Sequence, residues 1–136
     1  MRILLLHSDY IEFQALKKEI NIAEESNTEL HRFDDIAVLF TCLESHDDDN
    51  IIQKSLSEIK SSLDNLNCNR IVVYPYSHLS DNLANASKAV SLLNKFKLGL
   101  TNAGNEVNSS PFGWNKSFTI SAVSYTHLTL PTNREV

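Results

Sequence analysis

The sequence is poor in glycine, cysteine and long apolar runs, and each shortage excludes a class of protein. Its three glycines leave no glycine-rich phosphate loop and no Gly-x-Ser-x-Gly nucleophile elbow. Cys42 and Cys68, the two cysteines, cannot form a disulfide framework or a metal knuckle, which favours a reduced, cytoplasmic setting. No apolar run approaches the roughly 20 residues that span a bilayer, and no cleavage site follows the short apolar start. We therefore expect neither a membrane anchor nor a signal peptide.

The length and charge of the chain bound what it can be. A chain of 136 residues with 42% apolar content can form one domain with a real core, but not two domains. The net charge of −5 argues against a general nucleic-acid coat. Residues 1–65 carry 6 Lys and Arg against 14 Asp and Glu, whereas residues 66–136 carry 6 against 3. An anionic ligand would therefore approach the second half more easily.

Apolar periodicity predicts alternating strands and helices. Short apolar or alternating runs predict strands at residues 2–7, 36–43, 70–74 and 116–123, and Pro75 ends the third. Residues 106–110 predict a weak strand or a turn. Spacings of three and four predict helices over residues 10–20, 50–66 and 86–98, with residues 21–35 as a connection. Asn50 with Gln53 resembles a capping box, Asn85 resembles an N-cap, and Gly99 lies near a helix end. The order β-α-β-α-β-α-β-β predicts one layered α/β or α+β domain with a mixed sheet.

The last residues, 124–136, read SYTHLTLPTNREV and show no period that continues the domain. They resemble translated vector or adapter sequence. We therefore expect the domain to comprise residues 1–123 and the tail to lie outside the fold.

Two segments beside predicted strands carry candidate chemistry. YPYSHLS, residues 74–80, follows a strand, and PFGWNKSF, residues 111–118, precedes one. Ligands bind beyond strand ends in open α/β sheets. Lys116 can hold an oxyanion or a water, or act as a base if its pKa is lowered, and His78 can move a proton or orient a hydroxyl. The alternative is that the aromatic side chains of both segments only pack.

Other polar residues favour structural roles. The run Asp47–Asp48–Asp49 lacks the spacing of a calcium loop and is typical of a solvated helix start. His7, His31 and His46 have no partner at metal-ligand spacing, and Cys42 within an apolar strand is typical of a small core residue. We predict no metal and no cofactor.

Four motifs, in this order, carry a resemblance to a known family. They are RILLLHSDYIE at residues 2–12, FTCLE at 40–44, YPYSHLS at 74–80 and PFGWNKSFTIS at 111–121. Together they resemble the N-terminal editing domain of archaeal threonyl-tRNA synthetase, over residues 1 to about 122. The resemblance implies a D-aminoacyl-tRNA deacylase-like fold and a proofreading hydrolase that removes L-serine from threonine-specific tRNA.

The resemblance also implies roles for individual residues. The family's catalytic lysine falls on Lys116 and its loop histidine on His78. Residues implied to bind the aminoacylated 3′ end of tRNA are Leu43, Pro75, Ser77, Phe112, Trp114 and Asn115. Leu43 would lie near the aminoacyl group, Pro75 and Ser77 would present backbone, and Phe112 and Trp114 would form the adenosine pocket. The family often has tyrosine where this chain has Asn115.

The resemblance further implies a homodimer with sheets packed across a two-fold axis, linked to a synthetase catalytic domain. One family glutamate has no counterpart, because its position falls on Thr129 in the foreign-looking tail. We expect weaker binding of the tRNA end for that reason. Two other functions stay open at this point: a freestanding D-aminoacyl-tRNA deacylase, and an inactive module that binds the tRNA end or dimerises.

Overall fold

The architecture is a five-stranded mixed sheet with two long helices. The structure is a computed structural model that describes residues 1–130. Along the chain the elements are β1 (Arg2–Lys18), β2 (Leu30–Cys42), α1 (Asp49–Leu66), β3 (Arg70–Pro75), a 3-10 turn (Ser77–Leu79), α2 (Ala86–Asn102), β4 (Glu106–Ser109) and β5 (Trp114–Thr129). No helix in this described range is long and apolar enough to cross a membrane.

The order of the strands places the loops that follow β3 and β4 next to each other, because these two strands are parallel neighbours. The order is β4-β3-β2-β1-β5. β1 pairs antiparallel with β2 and β5, and β3 pairs parallel with β2 and β4. The predicted mixed sheet in an α+β domain is therefore confirmed.

The core lies mainly between the sheet and the two helices. Ile3, Leu39 and Val73 from three adjacent strands are buried against α1 and α2. The helices contribute a common apolar stripe of Ile52, Ile59, Leu63, Leu92, Leu93 and Phe96. A second cluster on other sheet positions is rich in aromatic rings, with Phe13, Phe40 and Tyr74 in contact.

The helix predicted over residues 10–20 is wrong. This segment is the second half of β1, in which Ile11 pairs with Phe33 of β2 and with Ile120 of β5. Ile11, Phe13 and Ala15 are buried at a spacing of two, whereas Leu16 is 51% exposed. The alternation of a strand therefore prevails over the partial three-and-four spacing, because both neighbouring strands are available to pair.

Both later helices are confirmed, with differences at their ends. Asp48, not Asn50, caps α1: its carboxylate accepts a hydrogen bond from the Ile51 amide at 3.1 Å. The predicted Asn85 cap is confirmed, with its side chain accepting from the Lys88 amide at 2.9 Å. Gly99 lies inside α2, where a Cβ would come within 2.4 Å of a Leu56 methyl group. Gly99 therefore allows α1 and α2 to pack closely and does not terminate the helix.

The predicted strands at residues 2–7, 36–43, 70–74, 106–110 and 116–123 are all present, although several are longer than expected. β2 begins at Leu30, inside the predicted connection. β5 runs on to Thr129, which pairs with Arg2, and Leu130 is buried. The expectation that the fold excludes the tail is therefore wrong for residues 124–130. The foreign origin of the tail stays a prediction, and residues 131–136 lie outside the described residues.

Candidate active site

The first loop of the site begins where β3 ends. Pro75 pairs with Thr41 of β2 in the last register position, and the Tyr76 amide donates to the Thr41 carbonyl at 2.9 Å. The 3-10 turn that follows is tied down at its far end, where the Ser80 hydroxyl donates to the Glu44 carboxylate at 2.6 Å. These bonds fix the backbone of the Pro75–Ser80 loop on the end of the sheet.

The second loop, Pro111–Gly113, is held by the connection between β1 and β2. The Glu19 amide donates to the Gly113 carbonyl at 2.8 Å, and the Glu24 amide donates to the Phe112 carbonyl at 3.0 Å. In return the Phe112 amide donates to the Glu24 carboxylate at 2.7 Å. The indole Nε1 of Trp114 donates to the Glu24 carbonyl at 2.6 Å. The loop is therefore fixed by residues 88 to 94 positions earlier in the chain.

Gly113 is required for this close approach, which gives a testable prediction. Its φ is +83°, and a Cβ there would come within 2.9 Å of both Ala23 and Ile20. Gly104 has a φ of +97° with nothing within 4 Å of a Cβ, so it is a matched control. We expect Gly113→Ala to lower the free energy of unfolding by about 1–3 kcal/mol more than Gly104→Ala in urea titrations. Equal losses would show that the loop does not press on the connection.

Lys116 joins the two loops. From β5 its ammonium Nζ donates to the Pro111 carbonyl at 2.8 Å and to the Ser110 hydroxyl at 2.9 Å. The same atom lies 3.4 Å from the Pro75 carbonyl of the first loop and 4.3 Å from the centre of the Tyr74 ring. The structure thus brings together the two segments that the sequence singled out.

The environment of Lys116 shifts its proton affinity. Burial lowers the pKa of Lys116 from 10.5 to about 7, against the opposing effect of the Glu24 and Glu19 carboxylates. Near neutral pH the side chain is therefore available as an amine as well as an ammonium. Such a group can accept a proton from water, which an ordinary surface lysine cannot do at this pH.

A cavity of about 270 Å³ opens beside Lys116. Six of the predicted site residues line it: Leu43, Pro75, Ser77, Phe112, Trp114 and Lys116. Much of the remaining wall is apolar, from Ile20, Leu83, Ala84, Ala89 and Leu93. The wall also includes the Glu19 carboxylate, so the cavity offers an amine and a carboxylate to a small ligand beside a reacting bond.

Two predicted site residues do not line this cavity. His78 is exposed and rests edge-on against the Tyr76 ring, with centroids 4.9 Å apart. Asn115 is exposed and lies between Trp114 and Lys116 on β5, where alternate side chains point to opposite faces. The imidazole therefore reaches the site only indirectly, through the Tyr76 ring that lines the cavity and through its chain neighbour Ser77.

Sequence reasoning missed Glu24 and Ile20. Glu24 lies in the stretch predicted as a polar connection and Ile20 at the end of the helix predicted over residues 10–20, and no local pattern marks either as a site residue. Their importance comes from contacts with residues 112–114, which a single sequence does not reveal.

An acidic cluster near the first loop is occupied by the chain's own ammonium group. The Met1 α-ammonium donates to Glu44 at 2.8 Å, to Asp47 at 2.7 Å and to the Leu130 carbonyl at 2.8 Å. Asp47 is buried, so the predicted solvated helix start is wrong for this residue. Glu44, His46 and Asp47 have ligand atoms within 4.8 Å of one another, but the α-ammonium already supplies the positive charge that a metal ion would bring.

The surroundings of the Cys42 thiol make it a poor nucleophile. Cys42 is buried, as predicted for a core residue, and its Sγ lies 4.0 Å from the Ser77 carbonyl. Burial, reinforced by the Glu44 charge, raises the pKa of Cys42 to about 11. A thiolate nucleophile is therefore not available at this position near neutral pH.

Comparison with solved structures supports the fold. The described chain superposes on the c-Myc DNA Unwinding Element Binding Protein with a TM-score of 0.77, at 10% sequence identity. The match covers 97% of this chain and 100% of the other. At this identity the likeness concerns the fold alone.

Sequence comparison identifies relatives of the chain and not only its fold. The chain is 43% identical over 121 residues to the threonine–tRNA ligase of Nitrosopumilus maritimus, covering 88% of this chain and 19% of the ligase. It is 43% identical over 124 residues to that of Methanoregula boonei, covering 89% and 20%. The chain thus spans about one fifth of the length of these relatives. The profile described as the archaea-specific editing domain of threonyl-tRNA synthetase matches residues 1–128, and the chain belongs to this family.

Proposed function

We propose that this domain hydrolyses the ester between L-serine and the 3′ end of threonine-specific tRNA. The observation that carries the proposal is the position of Lys116: a partly buried amine within hydrogen-bonding distance of both loops, beside a cavity of about 270 Å³. Membership of the editing-domain family supports the substrate class.

The need for such a hydrolase follows from the substrates. Serine lacks one methyl group of threonine, and a missing methylene is worth only roughly 1–3 kcal/mol of discrimination in a pocket. A synthetic site alone therefore admits serine at an appreciable rate. A second site that hydrolyses the wrong ester removes this error.

In the proposed reaction Lys116 acts as a neutral amine. Its two N–H bonds donate to Pro111 and Ser110. In the ammonium the third N–H donates to the Pro75 carbonyl at 3.4 Å. Once that proton is lost, the lone pair turns from this carbonyl to the attacking water and accepts a proton from it. The water oxygen bonds to the seryl carbonyl carbon, and the ester C–O bond breaks. The leaving ribose oxygen then takes a proton from the ammonium, which regenerates the amine.

The other residues of the site would bind the tRNA end. Leu43 would contact the aminoacyl group, while the backbones of Pro75 and Ser77 hold it in place. Phe112 and Trp114 would form the wall against the terminal adenosine, since aromatic rings stack on bases. His78 would reach the terminal ribose from outside the cavity.

Asn115 is exposed, so we propose that it lies at the rim of the site and not in the cavity.

Because the relatives are about five times as long as this chain, we also propose that the domain is linked to a synthetase catalytic domain and acts in the cytoplasm. A homodimer, implied by the family resemblance, is proposed with it, and sedimentation would detect it.

The proposal is tested by incubating the domain with L-seryl-tRNA and with a D-aminoacyl-tRNA of the same sequence. We expect hydrolysis of the L-seryl ester and little of the D-aminoacyl ester. The reverse preference would identify a D-aminoacyl-tRNA deacylase. Binding of the tRNA end without hydrolysis of either would identify an inactive binding module.

The pKa of Lys116 predicts the pH dependence of this reaction. Because that pKa is about 7, the lysine is protonated below this pH and neutral above it. If the neutral amine acts, kcat/KM rises about tenfold per pH unit below the pKa and levels off above it. Rates are measured after subtraction of uncatalysed hydrolysis. A rate that falls above pH 7 would instead indicate that the ammonium stabilises the oxyanion.

A further inference from the structure

Glu24 contacts the proposed adenosine wall through three different groups. Its amide donates to the Phe112 carbonyl at 3.0 Å, and its carboxylate accepts from the Phe112 amide at 2.7 Å. Its carbonyl accepts from the Trp114 indole at 2.6 Å. One residue of the β1–β2 connection thus fixes both the backbone and an aromatic side chain of the opposite loop.

The carboxylate of Glu24 is itself held from a second direction. Its other oxygen lies 3.6 Å from the Nζ of Lys97 on α2, and the two side chains are 30% and 19% exposed. The neighbouring Glu25 differs: its side chain is 94% exposed and contacts only Lys18 among the ion pairs of residues 1–130. Glu24 therefore links α2 to the wall, whereas Glu25 is a surface residue of the same charge.

We propose that Glu24 is a positioning residue for the terminal adenosine of the tRNA, which it serves by holding Phe112 and Trp114 in place. This inference rests on the proposed function, since it assigns the wall to a nucleoside. A purine stacks best on aromatic side chains whose orientation is fixed. If these side chains move, the tRNA end binds more weakly, whereas the rate of the hydrolytic step beside Lys116 changes little. The expected consequence is a change in KM rather than in kcat.

The charge of Glu24 also affects the pKa of Lys116, and this effect distinguishes a positioning role from a purely structural one. The groups that face Lys116 are the Tyr74 ring and the acceptors on Pro75, Ser110 and Pro111. The carboxylates of Glu24 and Glu19 act on it from the connection and raise its pKa against burial. Glu24→Gln keeps an oxygen for the Phe112 amide but removes the charge. It should therefore keep KM and move the pH profile to lower pH.

The test compares Glu24→Ala, Glu24→Gln and the control Glu25→Ala. We expect Glu24→Ala to raise KM for seryl-tRNA about tenfold, the equivalent of one lost hydrogen bond, with kcat nearly unchanged. Glu24→Gln should restore KM, and Glu25→Ala should match the unsubstituted chain. An unchanged KM in Glu24→Ala, or a KM in Glu24→Gln as high as in Glu24→Ala, would overturn the proposal.

A readout without substrate keeps this inference distinct from the proposed function. Trp114 is the single tryptophan of the chain, so its fluorescence reports on the wall. Alanine at position 24 keeps the main-chain carbonyl that accepts from the indole but releases the Phe112 amide beside it. Glu25 touches the wall only through Lys18, whose Nζ lies 5.9 Å from the centre of the Trp114 ring. We therefore expect red-shifted emission and stronger acrylamide quenching in Glu24→Ala than in Glu25→Ala. If the unsubstituted chain hydrolyses no seryl-tRNA, the proposed function fails. Unchanged emission in Glu24→Ala would still overturn the positioning role by itself.

Discussion

Replacing Lys116 with methionine is expected to lower kcat/KM for seryl-tRNA hydrolysis by about 10²–10⁴-fold, the usual contribution of a positioned acid or base. Methionine keeps an apolar stem of similar length beside the Tyr74 ring but removes the amine that bonds to both loops. The domain should remain folded, because methionine fills a similar space and the loss is confined to the hydrogen bonds to Pro111 and Ser110. Activity and thermal unfolding are measured on the same preparation.

The matched control for this substitution is Lys54→Met. Lys54 is an exposed residue of α1, and its loss should leave hydrolysis unchanged. His78→Ala should reduce kcat/KM less than Lys116→Met does, because the imidazole lies outside the cavity. Full activity in a folded Lys116→Met variant would refute the proposed role of the lysine.

Asp47→Ala is expected to lower the free energy of unfolding by about 1.5–3 kcal/mol, the usual contribution of a hydrogen bond to a charged group, because Glu44 still pairs with the Met1 α-ammonium. One Asp47 oxygen accepts from the Met1 α-ammonium at 2.7 Å, and the other accepts from the Glu44 amide at 2.7 Å. Both charged groups of the pair are fully buried. Urea titration monitored by circular dichroism measures the loss.

Asp49→Ala is the control for this prediction. Asp49 pairs with Lys95 at 2.8 Å, but both side chains are more than half exposed, so its removal should cost at most about 1 kcal/mol. Losses of similar size in the two variants would show that the α-ammonium is not held in a buried pair.

The pH dependence of stability follows from the same cluster. Burial raises the pKa of Glu44, but hydrogen bonds from the α-ammonium and Ser80 outweigh it, so the net pKa lies below the usual carboxyl value. A carboxyl with a lowered folded-state pKa stabilises the fold above its unfolded pKa. That contribution is lost as the pH falls through the folded-state pKa, in the acid range.

Elements with strong local signals could be predicted from the sequence. Pro75 ends β3 because it has no N–H for the ladder, and Asn85 caps α2 through its own side chain. Both effects act within a few residues. The sequence also singled out the two loops that carry Ser77 and Lys116, but they meet because each loop follows one strand of the parallel pair β3 and β4.

Features that depend on distant partners could not be predicted in this way. The second half of β1 carries both a partial helical spacing and a strand alternation, and only pairing with β2 and β5 decides between them. Glu24 gives no local signal, because its partners lie about 90 residues away. Residues 124–129 show little alternation of their own, and their strand conformation comes from pairing with β1.

The most direct test of the proposed chemistry is a structure of the domain with a bound seryl-adenosine analogue in which an amide replaces the ester. We predict that the seryl carbonyl carbon lies in the cavity beside Nζ of Lys116, with the adenine against Phe112 and Trp114. An analogue bound elsewhere on the domain, with the cavity beside Lys116 empty, would contradict the proposed proofreading site.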